Sequence, residues 1–132
     1  MPAVKRPRMY AAIAAADNGC EVHLYEKNEK LGKKIFITGK GRCNVTNAGD
    51  MDELFAAVIT NKKFMFSSFY GFTNEDMMQF LEDAGLRLKT ERGKRVFPLS
   101  DHSSDVIAAL ERTLKKENVK VYLRKEVKGL NF

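Results

Sequence analysis

The residues best equipped for chemistry in this 132-residue chain lie between Glu26 and Asn47. Residues 32–47 read GKKIFITGKGRCNVTN, in which Gly39 and Gly41 let backbone N–H groups approach an anion while Lys40 and Arg42 supply charge. Such a loop suits a diphosphate or the polar edge of a cofactor, and suits a structural turn equally well. A magnesium-nucleotide P-loop is excluded. Setting Gly39 and Lys40 as its Gly-Lys pair would require glycine where Lys34 stands, and Gly41 occupies the place of the metal-holding Ser or Thr. Glu26 follows the alternating stretch EVHLY at 21–25, where a strand-end carboxylate would accept hydrogen bonds from ribose hydroxyls in a dinucleotide-binding βαβ unit. In such units the acid lies about 20 residues beyond the glycine turn, and Glu26 stands 18 residues after position 8. An acid in that position is also an ordinary exposed strand-end charge.

Other candidates carry less. Cys43 beside Arg42 could be a reactive thiol, since a neighbouring cation favours thiolate, but no second cysteine is near and a packed loop thiol explains it as well. Asp101, His102 and Ser103 hold the letters of a hydrolytic triad, yet adjacent residues cannot adopt its spatial arrangement. Two cysteines without a CxxC spacing and two histidines give neither a disulfide framework nor a metal-ligand cluster.

The elements that would position these residues are read from periodicity. The small residues of 9–18 predict a closely packed helix ended by Gly19, and 21–25 predict a strand with Glu26 at its end. Most of 28–47 reads as a shaped loop. Helical spacing covers 50–60, an aromatic-rich second helix covers 61–72, and its Phe and Met residues read as core. Thr73 with Asp76 caps a helix that stops at Gly85. Residues 86–90 and 95–97 form two strands around Gly93, Ser103 or Ser104 caps a helix through Glu117, and 119–123 form a strand followed by 127–130. The order implies an α/β fold layered around a parallel sheet. A strand before the first helix is missing, because residues 1–8 hold two prolines and three cations.

Composition bounds the rest. With 44% apolar and 30% charged residues the chain is ordinary globular sequence of one-domain size. No window approaches the roughly 18 uninterrupted apolar residues of a membrane span, no cleaved signal is expected, and the cytoplasm is the expected location. The net charge of +6 invites a nucleic-acid reading, but its distribution among mixed-sign segments fits a solvated surface. Neither specific nucleic-acid binding nor membrane association is expected.

YEKNEKLGKKIFITGKGRCNVTN, with AAIAAADNG before it and RVFPLSDHSSDVIAAL after it, resembles the HI0933-like family of bacterial FAD-dependent NAD(P)/FAD-type oxidoreductases. The likeness runs from about Met9 to Leu130 and covers the N-terminal third of such proteins. It implies a partial Rossmann-like FAD-binding domain of the two-dinucleotide-binding-domain flavoprotein type over 9–132, after an atypical segment 1–8. Within the resemblance Glu26 and Lys27 lie at the adenosine ribose, Gly32 continues the flavin fingerprint, and Gly41, Arg42, Cys43 and Asn44 lie beside the cofactor. The backbone of Val127 would meet the adenine edge. FAD is the implied cofactor, with NAD(P)H as reductant of the complete protein, and a small-molecule substrate is implied without being identified. The family's Gly-x-Gly-x-x-Gly turn is replaced by Ala3, Lys5 and Arg8. A Cβ at the second position obstructs approach to a pyrophosphate, so the isolated chain is expected to hold FAD weakly or not at all. The alternative is a catalytically silent truncation product or a basic anion- or nucleic-acid-binding module.

Overall fold

The computed structural model describes residues 8–131. Helix α1 covers Arg8–Asp17, and residues 1–7, including the turn positions Ala3 and Lys5, lie outside the described residues. Its small side chains allow close approach: Met9, Ala12 and Ile13 are buried, and left-handed Gly19 follows its end. Strand β1 (His23–Glu26) then pairs in parallel with β5 (Lys120–Leu123), His23 opposite Lys120 and Glu26 opposite Leu123. Tyr25 and Tyr122 stack across this pairing with centroids 4.8 Å apart. The other edge of β1 has no partner among the described residues.

The amphipathic helix α6 (Ser103–Lys116) organises the core. Val106, Ala109, Leu110 and Leu114 recur at helical spacing, are buried, and join Met9, Ile13, Leu24, Leu31 and Leu81 in one cluster. Helices α1 and α2 (Lys33–Phe36) pack against α6. Burying a leucine of this kind stabilises by roughly 1.5–3 kcal/mol relative to exposure, so the α6 stripe dominates the packing energy.

A second sheet is antiparallel, with β4 (Arg95–Pro98) between β2 (Thr46–Asn47) and β3 (Leu88–Glu91). The expected hairpin is present, turning through Arg92–Lys94 with Gly93 and Lys94 both left-handed. Asp50 caps α3 (Met51–Ala56) reciprocally with Glu53, and Thr73 caps α5 (Asn74–Asp83) reciprocally with Asp76.

The structure corrects several expectations. Region 28–47 holds α2, the tight turn Thr38–Gly41 and β2, so less of it is loop than periodicity suggested. The helix expected over 50–60 ends at Ala56, leaving Ile59 95% exposed. The aromatic residues of α4 (Lys62–Gly71) are not core: Phe64 is 82% exposed, while Phe66, Phe69 and Tyr70 gather around Phe55 in a cluster separate from the main one. Ser103 does not cap α6. His102 is the residue ahead of the helix, and Ser103 is buried inside its first turn with Oγ donating to the Phe36 carbonyl at 2.8 Å. No strand forms over 127–130, where Val127 and Leu130 are exposed. Among the described residues no helix is long and apolar enough to cross a membrane.

Candidate functional site

A cleft of about 650 Å³ opens at the carboxyl ends of β1 and β5, where ligands of parallel α/β sheets characteristically bind. Its shape follows from how the two strands end. The Lys125 N–H donates to the Glu26 carbonyl at 3.0 Å and the Arg124 N–H to the Asn28 carbonyl at 2.9 Å, so the segment after β5 is tied to the segment after β1. Leu24, Leu31 and Ile35 give the cleft an apolar floor, and Met9 at the start of α1 closes one side.

Glu26 stands at the rim, half-buried. Its Oε1 accepts from both the backbone N–H (2.9 Å) and the side-chain amide (2.7 Å) of Asn28. Among the described residues Oε2 accepts no hydrogen bond, which leaves an oriented acceptor directed from a rigid strand end. Around it stand the cations Arg8, Lys27, Lys33, Lys34 and Lys125 against Glu26 and Glu126, giving a net positive lining. Lys33 is partly compensated by Glu29 at 2.9 Å, a contact that also holds the Glu29 carboxyl below its usual range.

Of the residues singled out from sequence, Glu26, Lys27, Gly32 and Val127 meet in this cleft. Gly32 is left-handed at φ 73°, and a β-carbon there would fall 2.7 Å from Ile107 Cγ1, so the position needs glycine for both conformation and space.

Gly41, Arg42, Cys43 and Asn44 do not line the cleft; they follow Ile37, which does, on the next turn of chain. That turn is built from consecutive left-handed residues, Gly39 (φ 56°), Lys40 (φ 56°) and Gly41 (φ 85°), with Cys43 (φ 59°) beyond. The Cys43 N–H donates to the Thr38 carbonyl, and its side chain is buried in the main core cluster. Nearby, burial raises the Tyr10 phenol to about 12, with the Cys43 charge adding to the shift. The Asn44 amide, in the orientation that satisfies both partners, donates to the Val96 and Thr46 carbonyls and fastens the turn to β4. Arg42 reaches away to Glu91 and Asp101 and lies over the Phe97 ring. The turn thus has well-defined structural bonds, and the charge that Arg42 brings is already paired.

Residues 8–132 match the HI0933-like protein Rossmann domain family. The chain belongs to this family. Membership of the HI0933-like family supports a role in flavin binding and accords with the parallel strand pair and its basic cleft. The chain is 34% identical over 124 residues to a 3-dehydro-bile acid delta(4,6)-reductase of Clostridium scindens, covering 92% of this chain and 30% of that protein. It is 29% identical over 119 residues to a ribosomal RNA dihydrouridine synthase of Escherichia coli and 24% identical to one of Haemophilus influenzae, in each case covering 90% of this chain and 29% of the relative. The chain therefore spans less than a third of the length of these HI0933-like relatives.

Sequence reasoning missed Asn28, which fixes the Glu26 carboxylate, and Lys125, which reaches the cleft only through the β1–β5 pairing. An Asn two residues after a strand-end acid is a readable turn signal. Nothing local in the sequence marks Glu91 and Asp101 as partners of Arg42.

Proposed function

We propose that this chain forms the adenosine side of an FAD site in a flavin-dependent oxidoreductase. The observation that carries the reading is Glu26, which lines a basic cleft at the ends of two parallel strands with Oε1 held by Asn28 and Oε2 accepting no hydrogen bond among the described residues. A carboxylate so placed suits the hydroxyls of a ribose. Lys27, Lys34 and Lys125 suit a diphosphate, and the apolar floor of Leu24, Leu31 and Ile35 suits an adenine face. The residues present therefore fit the nucleotide half of the cofactor. Bound FAD would supply the redox chemistry, while the protein supplies binding and orientation. Gly32 and Val127 line the same cleft, where Gly32 would leave room for the nucleotide and the Val127 backbone would meet the adenine edge.

The relatives are a 3-dehydro-bile acid delta(4,6)-reductase and ribosomal RNA dihydrouridine synthases, names that both suit reduction of a carbon–carbon double bond. We take reduction of an unsaturated bond, with NAD(P)H as the outside reductant, as the reaction class of the complete protein. Arg8 stands where the family turn has its last glycine, and it lines the cleft. A flexible cation does not reproduce fixed N–H donors toward a pyrophosphate, so the chain by itself should retain FAD weakly.

The test compares two proteins by flavin retention after gel filtration and by equilibrium titration. One is the chain as it stands; the other is extended to family length, with a strand and Gly-x-Gly-x-x-Gly turn placed before Met9. The extended protein should retain FAD and lose affinity about tenfold or more with Glu26→Ala, as expected for removal of a charge-assisted hydrogen bond. Equal retention with Glu26→Ala would remove the ribose role, and stoichiometric FAD on the unextended chain would remove the requirement for the turn.

A further inference from the structure

Arg42 carries one of the two cations expected to draw an anion to the Gly39–Asn44 turn, yet its guanidinium is committed elsewhere. Nε donates to Asp101 Oδ1 at 2.7 Å, Nη2 donates to Glu91 Oε1, and Lys89 Nζ donates to Asp101 Oδ2. The Phe97 ring covers one face of the guanidinium, with its centroid 4.2 Å from Cζ. Two cations and two carboxylates thus form a quartet of zero formal charge, each member only partly exposed. The partners lie 49 and 59 positions from Arg42, so the quartet joins the turn to β3 and to the segment ahead of α6.

The titration directions agree with this geometry. Arg42 and Lys89 are held above their ordinary values, chiefly by hydrogen bonds to the carboxylates, and Glu91 and Asp101 are held below theirs by the same contacts.

A diphosphate approaching Arg42 would meet a cation whose charge is already matched and two carboxylates beside it, which repel it. An uncharged carbonyl oxygen needs only a donor. Nη1 can serve, since it donates to nothing among the described residues, and the quartet fixes its direction.

We propose that Glu91 and Asp101 are specificity-determining residues: by holding Arg42 they deny the Gly39–Asn44 turn to a diphosphate and fit it to an uncharged polar edge. That the edge is a flavin ring carbonyl rests on the function proposed above; the exclusion of diphosphate rests on the quartet alone.

The test is a titration of the chain with inorganic pyrophosphate, followed by NMR of the Arg42 Nε–H and of the backbone amides of Lys27 and Lys33. In the unmodified chain the Arg42 signal should stay fixed, and in the Glu91→Gln/Asp101→Asn double variant it should shift saturably. A shift of Arg42 in the unmodified chain would overturn the proposal, as would a fixed signal in the double variant. If the double variant fails to fold, Asp101→Asn alone takes its place with the same two criteria, because it frees Nε while Glu91 stays. The Lys27 and Lys33 amides report separately. If they stay fixed, the unextended chain takes no pyrophosphate at the cleft, as the replaced glycine turn predicts. The nucleotide reading is then left to the extended protein described above, and the Arg42 result stands on its own.

Discussion

Gly32 and Ile107 meet so closely that a β-carbon on the glycine would lie 2.7 Å from Cγ1 and 3.0 Å from Cγ2 of the isoleucine. The contact locks the residue entering α2 onto the second turn of α6, and it does so beside the cleft.

Gly32→Ala should therefore destabilise the fold by about 1–3 kcal/mol, through overpacking against a branched side chain and a left-handed backbone. Ile107→Ala, which removes both γ-carbons, should make the cost of Gly32→Ala smaller in the double variant than in the single one. Urea denaturation of the four proteins of this cycle checks it. Equal midpoints for Gly32→Ala and the unmodified chain would mean that Ile107 simply turns aside.

The quartet around Arg42 sets an acid limit. Glu91 and Asp101 titrate below their ordinary values when folded, so their contribution is present above the unfolded carboxylate range and is lost as pH falls through the lowered folded values. Stability measured from pH 6 down to about 2 should decline less steeply in the Glu91→Gln/Asp101→Asn variant. Parallel curves would show that these carboxylates add nothing pH-dependent.

Tyr10 sets an alkaline limit. Its phenol is raised to about 12 by burial, so the folded chain keeps a proton that the unfolded chain releases above the ordinary value of 10.0. The resulting loss begins as pH rises past 10.0 and is complete near 12, amounting to about 3 kcal/mol. Lys89, Lys94 and Lys120, also raised, lose their ion pairs in the same direction. Comparison with Tyr10→Phe isolates the phenol: the variant's alkaline limb should be shallower, and identical limbs would exclude ionisation of Tyr10.

The basic surface should bind a random DNA duplex only weakly, without sequence preference, and with affinity that falls as salt rises. Fluorescence titration of a labelled oligonucleotide at physiological salt checks this. Binding near 10 nM, roughly the level of specific complexes, would favour a dedicated nucleic-acid module over a flavoprotein portion.

What the sequence made legible is what neighbouring residues decide. Val106, Leu110 and Leu114 announce α6 by spacing, Thr73 and Asp76 announce the start of α5, and Gly93 announces the hairpin turn. Glu26 was placed by its position after a strand, and the cleft gathers it with Lys27, Gly32 and Val127. Features set by distant partners stayed hidden. Ser103 looked like a cap because its burial depends on the Phe36 carbonyl, 67 positions away. Arg42 looked like an available charge because its carboxylates come from the hairpin and from the approach to α6. The α4 aromatics looked like core because composition records hydrophobicity and not which surfaces meet.

The pairing of β1 with β5 has a consequence for the order of assembly. His23 and Tyr122 touch across 99 positions of sequence, so the parallel ladder closes only after β5 has been made. Closing so long a loop is paid in chain entropy before the contact returns anything, a pattern that slows folding. During synthesis α1 and β1 emerge before α6 and β5 and must wait for them to cover Leu24 and Ile13. The nascent segment therefore carries uncovered apolar surface until β5 leaves the ribosome, and that interval is when a chaperone or a self-association trap would meet it.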